Sequence, residues 1–138
     1  MKVVVVSGGA SGIGEAICEI FIKEDGNTDS KDNIKVVCGD INENNGNALE
    51  EKYPNMIKFI KTDCGEGTGC ENLIQKTIEL YGQIDVLVNN VGVQFDDGTP
   101  THLLDENVWD KVLDINLKSY FRLSKYVLKF WMDNNIKG

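Results

Sequence analysis

MKVVVVSGGASGIG (residues 1–14) decides the fold class, because in it a wholly apolar run leads directly into a cluster of glycines. The four valines at 3–6 have the composition of a strand that is buried on both faces, as in a parallel sheet. The glycines follow as Gly8-x-x-x-Gly12-x-Gly14 and open a helix. Glycine permits tight turns, and a helix amino terminus offers N–H groups to an anion. The stretch predicts either a tight strand-to-helix turn or a cradle for a phosphate.

Strand and helix patterns alternate along the rest of the chain. Continuously apolar runs predict further strands at 34–40, 56–63 and 84–92. Helical spacing predicts a helix after the glycines that stops at Gly26, and others over 42–53, over 68–82 and from 105 almost to the end. Residues 25–33 and 94–104 are expected to be loops. This alternation predicts an α/β fold with a parallel sheet covered by helices on both faces, in a single domain spanning residues 1–138.

Composition excludes several classes of function. The chain has 138 residues and a formal net charge of −8. Such a charge argues against binding to nucleic-acid phosphates and against adsorption to anionic membranes, both of which need basic surfaces. No apolar stretch is long enough to span a bilayer, and the run of four valines is too short for a signal peptide. We therefore expect no nucleic-acid or membrane partner and a cytoplasmic location.

The four cysteines, Cys18, Cys38, Cys64 and Cys70, form no C-x-x-C pair. Cys64 and Cys70 lie in CGEGTGC, which has the spacing of a disulfide loop or of half a metal site. Without a signal peptide or a second ligand pair, free thiols are expected. His102, the only histidine, has no recognisable ligand partners, so no metal site is predicted.

Two polar residues stand out against their surroundings. Asp40 ends the second strand, where a carboxylate can accept hydrogen bonds from an adenosine ribose, although aspartate is also common in turns. Asn116 lies within an apolar stripe of the last helix and needs a hydrogen-bond partner if it is buried. The stripe comprises Trp109, Leu113, Asn116, Tyr120, Leu123, Val127 and Trp131, and a second apolar direction comprises Leu117, Phe121 and Leu128.

These residues resemble the motifs of the short-chain dehydrogenase/reductase family, in the same order and over essentially the whole chain. SGGASGIG is similar to the family's T-G-x-x-x-G-x-G signature, with Ser7 in the Thr position. Asp40 matches the family's ribose-binding acid, and Asp63 in KTDC matches its adenine-contacting Asp. NNVG (89–92) resembles N-N-A-G, with Val in place of Ala, and Asn116 in INL matches the Asn of the catalytic tetrad.

The resemblance implies a Rossmann-type doubly wound parallel sheet with strand order 3-2-1-4, and hydride transfer between NAD and a small-molecule alcohol or carbonyl substrate. Asn116 would be catalytic, holding a water where the helix is locally disturbed; the alternative is a core amide bonded only to main chain. The long helix 105–135 resembles one that pairs subunits, which makes a homo-oligomer possible. The implied cofactor-binding residues are Gly8, Ser11, Gly12, Ile13, Gly14, Asp40, Ile41, Asp63, Cys64, Asn90, Val91 and Gly92.

NAD rather than NADP is expected, because the Asp40 carboxylate would repel a 2′-phosphate. Family members that use NADP often carry Arg or Lys at the positions of Ser11 and Ile41, and neither residue is basic here.

The family's catalytic Ser and Tyr-x-x-x-Lys are missing from these residues. None of the tyrosines is followed by Lys four residues later. Residues 84–92 would form an unprotected apolar edge of the sheet, whereas Lys58 and Lys61 would protect the opposite edge. We therefore expect a sheet truncated before a fifth strand: the amino-terminal, NAD-binding part of a longer enzyme, inactive alone. Two alternatives remain: a non-catalytic protein that binds nucleotide or pairs with subunits, and a Rossmann methyltransferase that uses S-adenosylmethionine.

Overall fold

A computed structural model describes residues 1–25, 33–95 and 98–136, in which the strands form one parallel sheet in the order β3-β2-β1-β4. The predicted strand order and α/β fold are therefore confirmed. Val5, in the centre of β1, lies opposite Val37 of β2 and Leu87 of β4. The strands are β1 (Lys2–Ser7), β2 (Ile34–Asp40), β3 (Ile57–Lys61) and β4 (Val86–Asn89).

Helices follow the strands and begin and end at recognisable signals. The Asn42 side chain caps α2 by accepting a hydrogen bond from the Asn45 N–H at 3.1 Å. Gly82, at φ 71°, ends α3 in the left-handed conformation that glycine adopts readily. The helices are α1 (Gly12–Asp25), α2 (Glu43–Lys52), α3 (Gly67–Tyr81), α4 (Glu106–Leu113) and α5 (Ser119–Asp133), with a short 3₁₀ turn at Thr101–Leu103. No helix in the described ranges is long and apolar enough to cross a membrane.

Two apolar layers cover the sheet, as the alternation along β1 requires. Successive side chains of a strand point to opposite faces, so the valines of β1 divide between the layers. The first layer packs β1, β2 and β3 against α3 and α5, and includes Val3, Val5, Val37, Leu73, Ile74, Leu123 and Val127. The second packs the sheet against α1 and α2, and includes Val4, Val6, Val36, Cys18, Ile22 and Leu49.

The two edges of the sheet differ, as the sequence predicts. On β3, Lys58 and Lys61 form ion pairs with Glu50 and Glu43 of α2. All four residues of β4, the opposite edge, are only half-buried. Two strands are shorter than predicted. β3 ends at Lys61 rather than at residue 63, and β4 ends at Asn89 rather than at residue 92. Beyond these ends the chain is held by hydrogen bonds to side chains. The loop predicted at 25–33 lies largely outside the described residues.

The predicted stripe on the last helix is wrong in its first half. Trp109 is 57% exposed, whereas Leu123 and Val127 are buried. The reason is a π-helical segment, Asp114–Lys118, between α4 and α5. A π turn takes in an extra residue, so the faces before and after it fall out of phase. The second apolar direction is exposed, with Leu117 and Phe121 each at 65%, and its role in pairing subunits stays a prediction.

Glu19 joins α1 to α2 through a cluster of charged and polar contacts. Its carboxylate pairs with Lys52 at 2.6 Å and Lys23 at 3.1 Å, and accepts a hydrogen bond from the Tyr53 hydroxyl at 3.0 Å. The bond from Lys52, followed by those from Lys23 and Tyr53, lowers the pKa of Glu19 from 4.5 to about 2. The stabilisation this carboxylate provides is therefore present above pH 4.5 and is lost as the pH falls toward 2.

We expect Glu19→Gln to lower the free energy of unfolding at neutral pH, because the amide cannot replace the charge. The difference from wild type should shrink as the pH falls from 4.5 to about 2, because the wild-type chain loses the advantage of its charge over that range. Urea denaturation across that range measures it, with Glu79→Gln on the exposed face of α3 as the control. A difference that stays constant throughout the range would contradict the assignment.

Candidate functional site

A cleft of about 480 Å³ lies at the carboxyl ends of the four parallel strands. Ligand sites in open α/β sheets occur at this edge, where the strand order reverses. All twelve residues predicted to bind the cofactor line it. Sequence reasoning missed six further lining residues: Gly39, Thr62, Gly65, Val93, Phe95 and Ile115. Most of them directly adjoin predicted residues in the chain, which is the one signal that could have indicated them.

Glycine is favoured at Gly8, Gly12 and Gly14 of the loop for different structural reasons. Gly8 and Gly12 have φ angles of 67° and 54°, which L side chains rarely adopt. A Cβ at Gly14 would overlap the Gly8 carbonyl oxygen, so this glycine allows α1 to pack against the loop. A Cβ at Gly12 would meet nothing within 4 Å, because this position faces the open cleft at the start of α1. The first N–H groups of a helix have no partner within it, so the loop can receive an anion here.

Asn90 fixes the glycine loop from the neighbouring strand. Its Nδ2 donates hydrogen bonds to the carbonyl oxygens of Ser7 at 3.1 Å and Gly8 at 2.9 Å. Its backbone N–H donates to the Ser7 Oγ at 3.1 Å, and that hydroxyl donates to the Val88 carbonyl. These bonds join the ends of β1 and β4, and they explain why β4 ends before Asn90.

Asp40 fixes the glycine loop from the other side. Its Oδ2 accepts a hydrogen bond from the Ala10 N–H at 3.0 Å, and its Oδ1 accepts one from the Asn42 N–H at 2.9 Å. Both carboxylate oxygens are thereby held at the cleft wall, and each keeps a further lone pair for a ligand. The neighbouring Ile41 is 61% exposed at the rim. Asp40 and Asp63 are the charged residues that line the cleft, within the part of the chain that the structure describes.

Asp63 lies in a turn after β3 that α5 helps to hold. Its Oδ1 accepts a hydrogen bond from the Gly65 N–H at 2.9 Å. Nη1 of Arg122, from α5, donates to the Gly65 carbonyl at 2.9 Å. The turn is therefore fixed at both polar groups of Gly65.

Asn116 lies in the π-helical segment, where the helix is locally disturbed, as the resemblance implies. Its Oδ1 accepts a hydrogen bond from the Val93 N–H at 2.8 Å, and its Nδ2 donates to the Val93 carbonyl at 2.9 Å. Val93 and Ile115 line the cleft, whereas Asn116 does not. The amide is thus bonded to main chain, as the alternative interpretation expects, and its catalytic role stays a prediction.

The four cysteines are buried free thiols. No group of three or more His, Cys, Asp or Glu side chains that could hold a metal ion occurs in residues 1–25, 33–95 and 98–136.

Comparison with known proteins gives consistent matches over nearly the whole chain. A family model described as short chain dehydrogenase matches residues 2–138. The sequence is 35% identical over 128 residues, or 91% of this chain, to an uncharacterized oxidoreductase of Thermotoga maritima. It is 30% identical over 130 residues, or 93% of this chain, to tropinone reductase-like 1 of Erythroxylum coca. These matches span 46% and 45% of the two relatives, so the chain covers about half their length.

Solved structures give the same result. A short chain dehydrogenase from Bacillus anthracis superimposes with a TM-score of 0.85 at 28% identity. The match covers 99% of this chain and 54% of that one.

We expect Gly14→Ala to destabilise the chain more than Gly12→Ala does. The methyl group at Gly14 meets backbone, which cannot move aside cheaply, and overpacking of this kind costs about 3 kcal/mol. At Gly12 only the left-handed backbone is strained, which costs about 1 kcal/mol. Urea denaturation measures both, and Gly82→Ala, with its φ of 71° and open surroundings, is the control for strain alone. Equal losses at Gly12 and Gly14 would contradict the close contact of Gly14 with Gly8.

Proposed function

The chain belongs to the short-chain dehydrogenase family, and on that premise we propose that it is the NAD-binding part of an oxidoreductase acting on an alcohol or carbonyl group. The observation that carries the proposal is one cleft that contains both an open glycine loop and the Asp40 carboxylate. These two features are what a dinucleotide needs for its pyrophosphate and its adenosine ribose.

The lining residues fit such a ligand in a definite order. The open position at Gly12 and the start of α1 suit the pyrophosphate, because no Cβ blocks the approach to the main chain. Asp40 suits the ribose hydroxyl groups, and the turn at Asp63 and Cys64 forms the wall on the adenine side. Asn90 binds the glycine loop itself, so we assign it to holding the loop in shape.

Hydride transfer to or from the substrate carbon is the chemistry that the bound dinucleotide would supply. Asn116 would act through Val93, whose two polar main-chain groups it binds at the cleft wall. The family also needs a Tyr with a nearby Lys to move the substrate proton, and none of the four tyrosines here is followed by Lys four residues later. We propose that these residues bind the dinucleotide without turnover and that a longer form supplies the proton-transfer residues.

NAD is proposed over NADP on electrostatic grounds. The charged residues lining the described part of the cleft are both carboxylates, Asp40 and Asp63. A 2′-phosphate on the ribose would meet the Asp40 charge and would find no basic lining residue to pair with. The match over residues 2–138 argues against the methyltransferase alternative.

We expect calorimetric titration to give a micromolar or weaker dissociation constant for NAD, because the proposal assigns the rest of the site to a longer form. NAD should bind more tightly than NADP by at least about tenfold, or roughly 1.4 kcal/mol. Asp40→Asn should reduce this preference by removing the charge that a 2′-phosphate meets. Asp63→Asn is the matched control, since it should weaken both dinucleotides equally: they share the same adenine.

Three results would count against the proposal. Binding of S-adenosylmethionine without binding of NAD would favour the methyltransferase, and saturation at nanomolar NAD would contradict the weak binding expected of a partial site. A preference for NADP in the wild type would overturn the role of Asp40.

We expect these 138 residues alone to show no oxidation of NADH in the presence of small ketones or aldehydes, followed by the absorbance of NADH. Turnover by this chain would contradict the assignment of proton transfer to a longer form. Mass spectrometry of the protein from its native cells gives the companion measurement, because a mass well above 15.3 kDa is expected for such a form.

A further inference from the structure

We propose that Cys64 and Cys70 form a reversible disulfide with hydrogen peroxide or a related peroxide, and that this disulfide weakens dinucleotide binding in the cleft. The second half of this inference rests on the proposed function. The site is the segment CGEGTGC, in which the binding function uses Cys64 and leaves the second cysteine, Cys70, unexplained.

The two thiols are already neighbours. Cys64 follows Asp63 in the turn after β3 and lines the cleft, where it is 4% exposed. Cys70 lies in the first turn of α3 and is fully buried behind it. The Cys70 thiol donates a hydrogen bond to the Cys64 carbonyl oxygen, 3.5 Å from its Sγ, and both cysteine side chains pack in the same apolar layer. Cys64 is the member of the pair that borders the cleft, so a small oxidant must pass it to reach Cys70.

The connecting segment can adjust to a covalent bond. Three of its five residues are glycines, Gly65, Gly67 and Gly69, which have the widest backbone freedom. A disulfide draws the sulfur atoms to about 2.05 Å, much closer than a hydrogen bond does. Because Gly69 packs directly against the Asp63 carbonyl, movement of Cys64 toward α3 displaces the Asp63 turn.

The surroundings of the pair make Cys70 the more acidic of the two thiols. The interaction with the Cys64 thiol, assisted by the charge of Arg122, lowers the pKa of Cys70 against the opposing effect of burial. The same interaction, together with burial, raises the pKa of Cys64, which therefore stays protonated. Cys70 is therefore the thiol of the pair that loses its proton more readily and reacts first.

The reaction consumes one peroxide and oxidises both thiols. The Cys70 thiolate attacks a peroxide oxygen, the O–O bond breaks, and the departing hydroxide takes up a proton, leaving a sulfenic acid on Cys70. The Cys64 sulfur then displaces the sulfenic oxygen, which leaves as water with the Cys64 proton, and the S–S bond forms. One peroxide is reduced to two waters. A dithiol reductant reverses the change by thiol–disulfide exchange.

A second thiol pair in the chain provides a matched control. The sulfur atoms of Cys18 and Cys38 both lie next to Gly9, and the interaction with Cys18 together with burial raises the pKa of Cys38. Both are fully buried, and neither lines the cleft. We expect this pair to stay reduced when the peroxide is added in near-stoichiometric amounts.

The test measures disulfide formation and dinucleotide affinity separately. Trypsin releases both cysteines in one peptide, residues 62–76, because no Lys or Arg lies between them. After one equivalent of hydrogen peroxide, that peptide should lose the mass of two hydrogen atoms, and dithiothreitol should restore it. The peptides carrying Cys18 and Cys38 should be unchanged. Saturating NAD should slow the reaction, because the ligand blocks the route past Cys64.

Oxidation should weaken NAD binding by about five- to tenfold in calorimetric titration. Cys70→Ala and Cys64→Ala should each abolish the peroxide effect, whereas Cys18→Ala should respond as the wild type does. The proposal is overturned if peptide 62–76 keeps its reduced mass, or if the fully oxidised chain binds NAD with unchanged affinity. If the reduced chain does not bind NAD at all, the proposed function fails together with the affinity part of this proposal, while the peptide mass still reports on the thiol pair.

Discussion

The hydrogen bonds that hold the glycine loop from both sides are the constraint on which the rest of the site depends. Asn90 binds the carbonyl groups of Ser7 and Gly8, and Asp40 binds the N–H of Ala10. Each comes from the end of a strand flanking β1. The loop that opens α1 is thereby shaped by its neighbours in the sheet, with its open side toward the cleft. Because parallel strands end at the same edge, these bonds hold the glycine loop beside the residues that follow β2 and β4.

The helices on the α5 side hold the other wall of the cleft. Arg122 binds Gly65 in the turn that carries Asp63, and Asn116 binds both main-chain groups of Val93. The π-helical segment brings Asn116 out of regular helical phase to make these bonds. A residue that the family resemblance assigns to catalysis therefore also has a structural task here, which is to fix the segment after β4.

The residues predicted to bind the cofactor all line one cleft, because the motifs that carry the family resemblance lie at the glycine turn and at the ends of the strands; their binding of a cofactor stays a prediction. Asp40 ends β2, Asn90 directly follows β4, and Asp63 lies two residues beyond the end of β3, so the parallel topology places all three at one edge. Lining residues such as Phe95 and Ile115 were missed, because nothing in their local pattern distinguishes them from ordinary apolar side chains. Ile115 lines the cleft only because the helix is disturbed around it.

The sequence by itself indicated a parallel sheet with helices on both faces, since apolar periodicity and glycine spacing act over short distances along the chain. The strand order came from the family resemblance, and the structure has the same order. Only the tertiary structure decided which groups the polar side chains bind. The contacts of Asn90 with Gly8, of Asn116 with Val93 and of Arg122 with Gly65 each join segments more than 20 residues apart. It also decided which half of the predicted helical stripe is buried, because a single π turn shifts the phase of every residue beyond it.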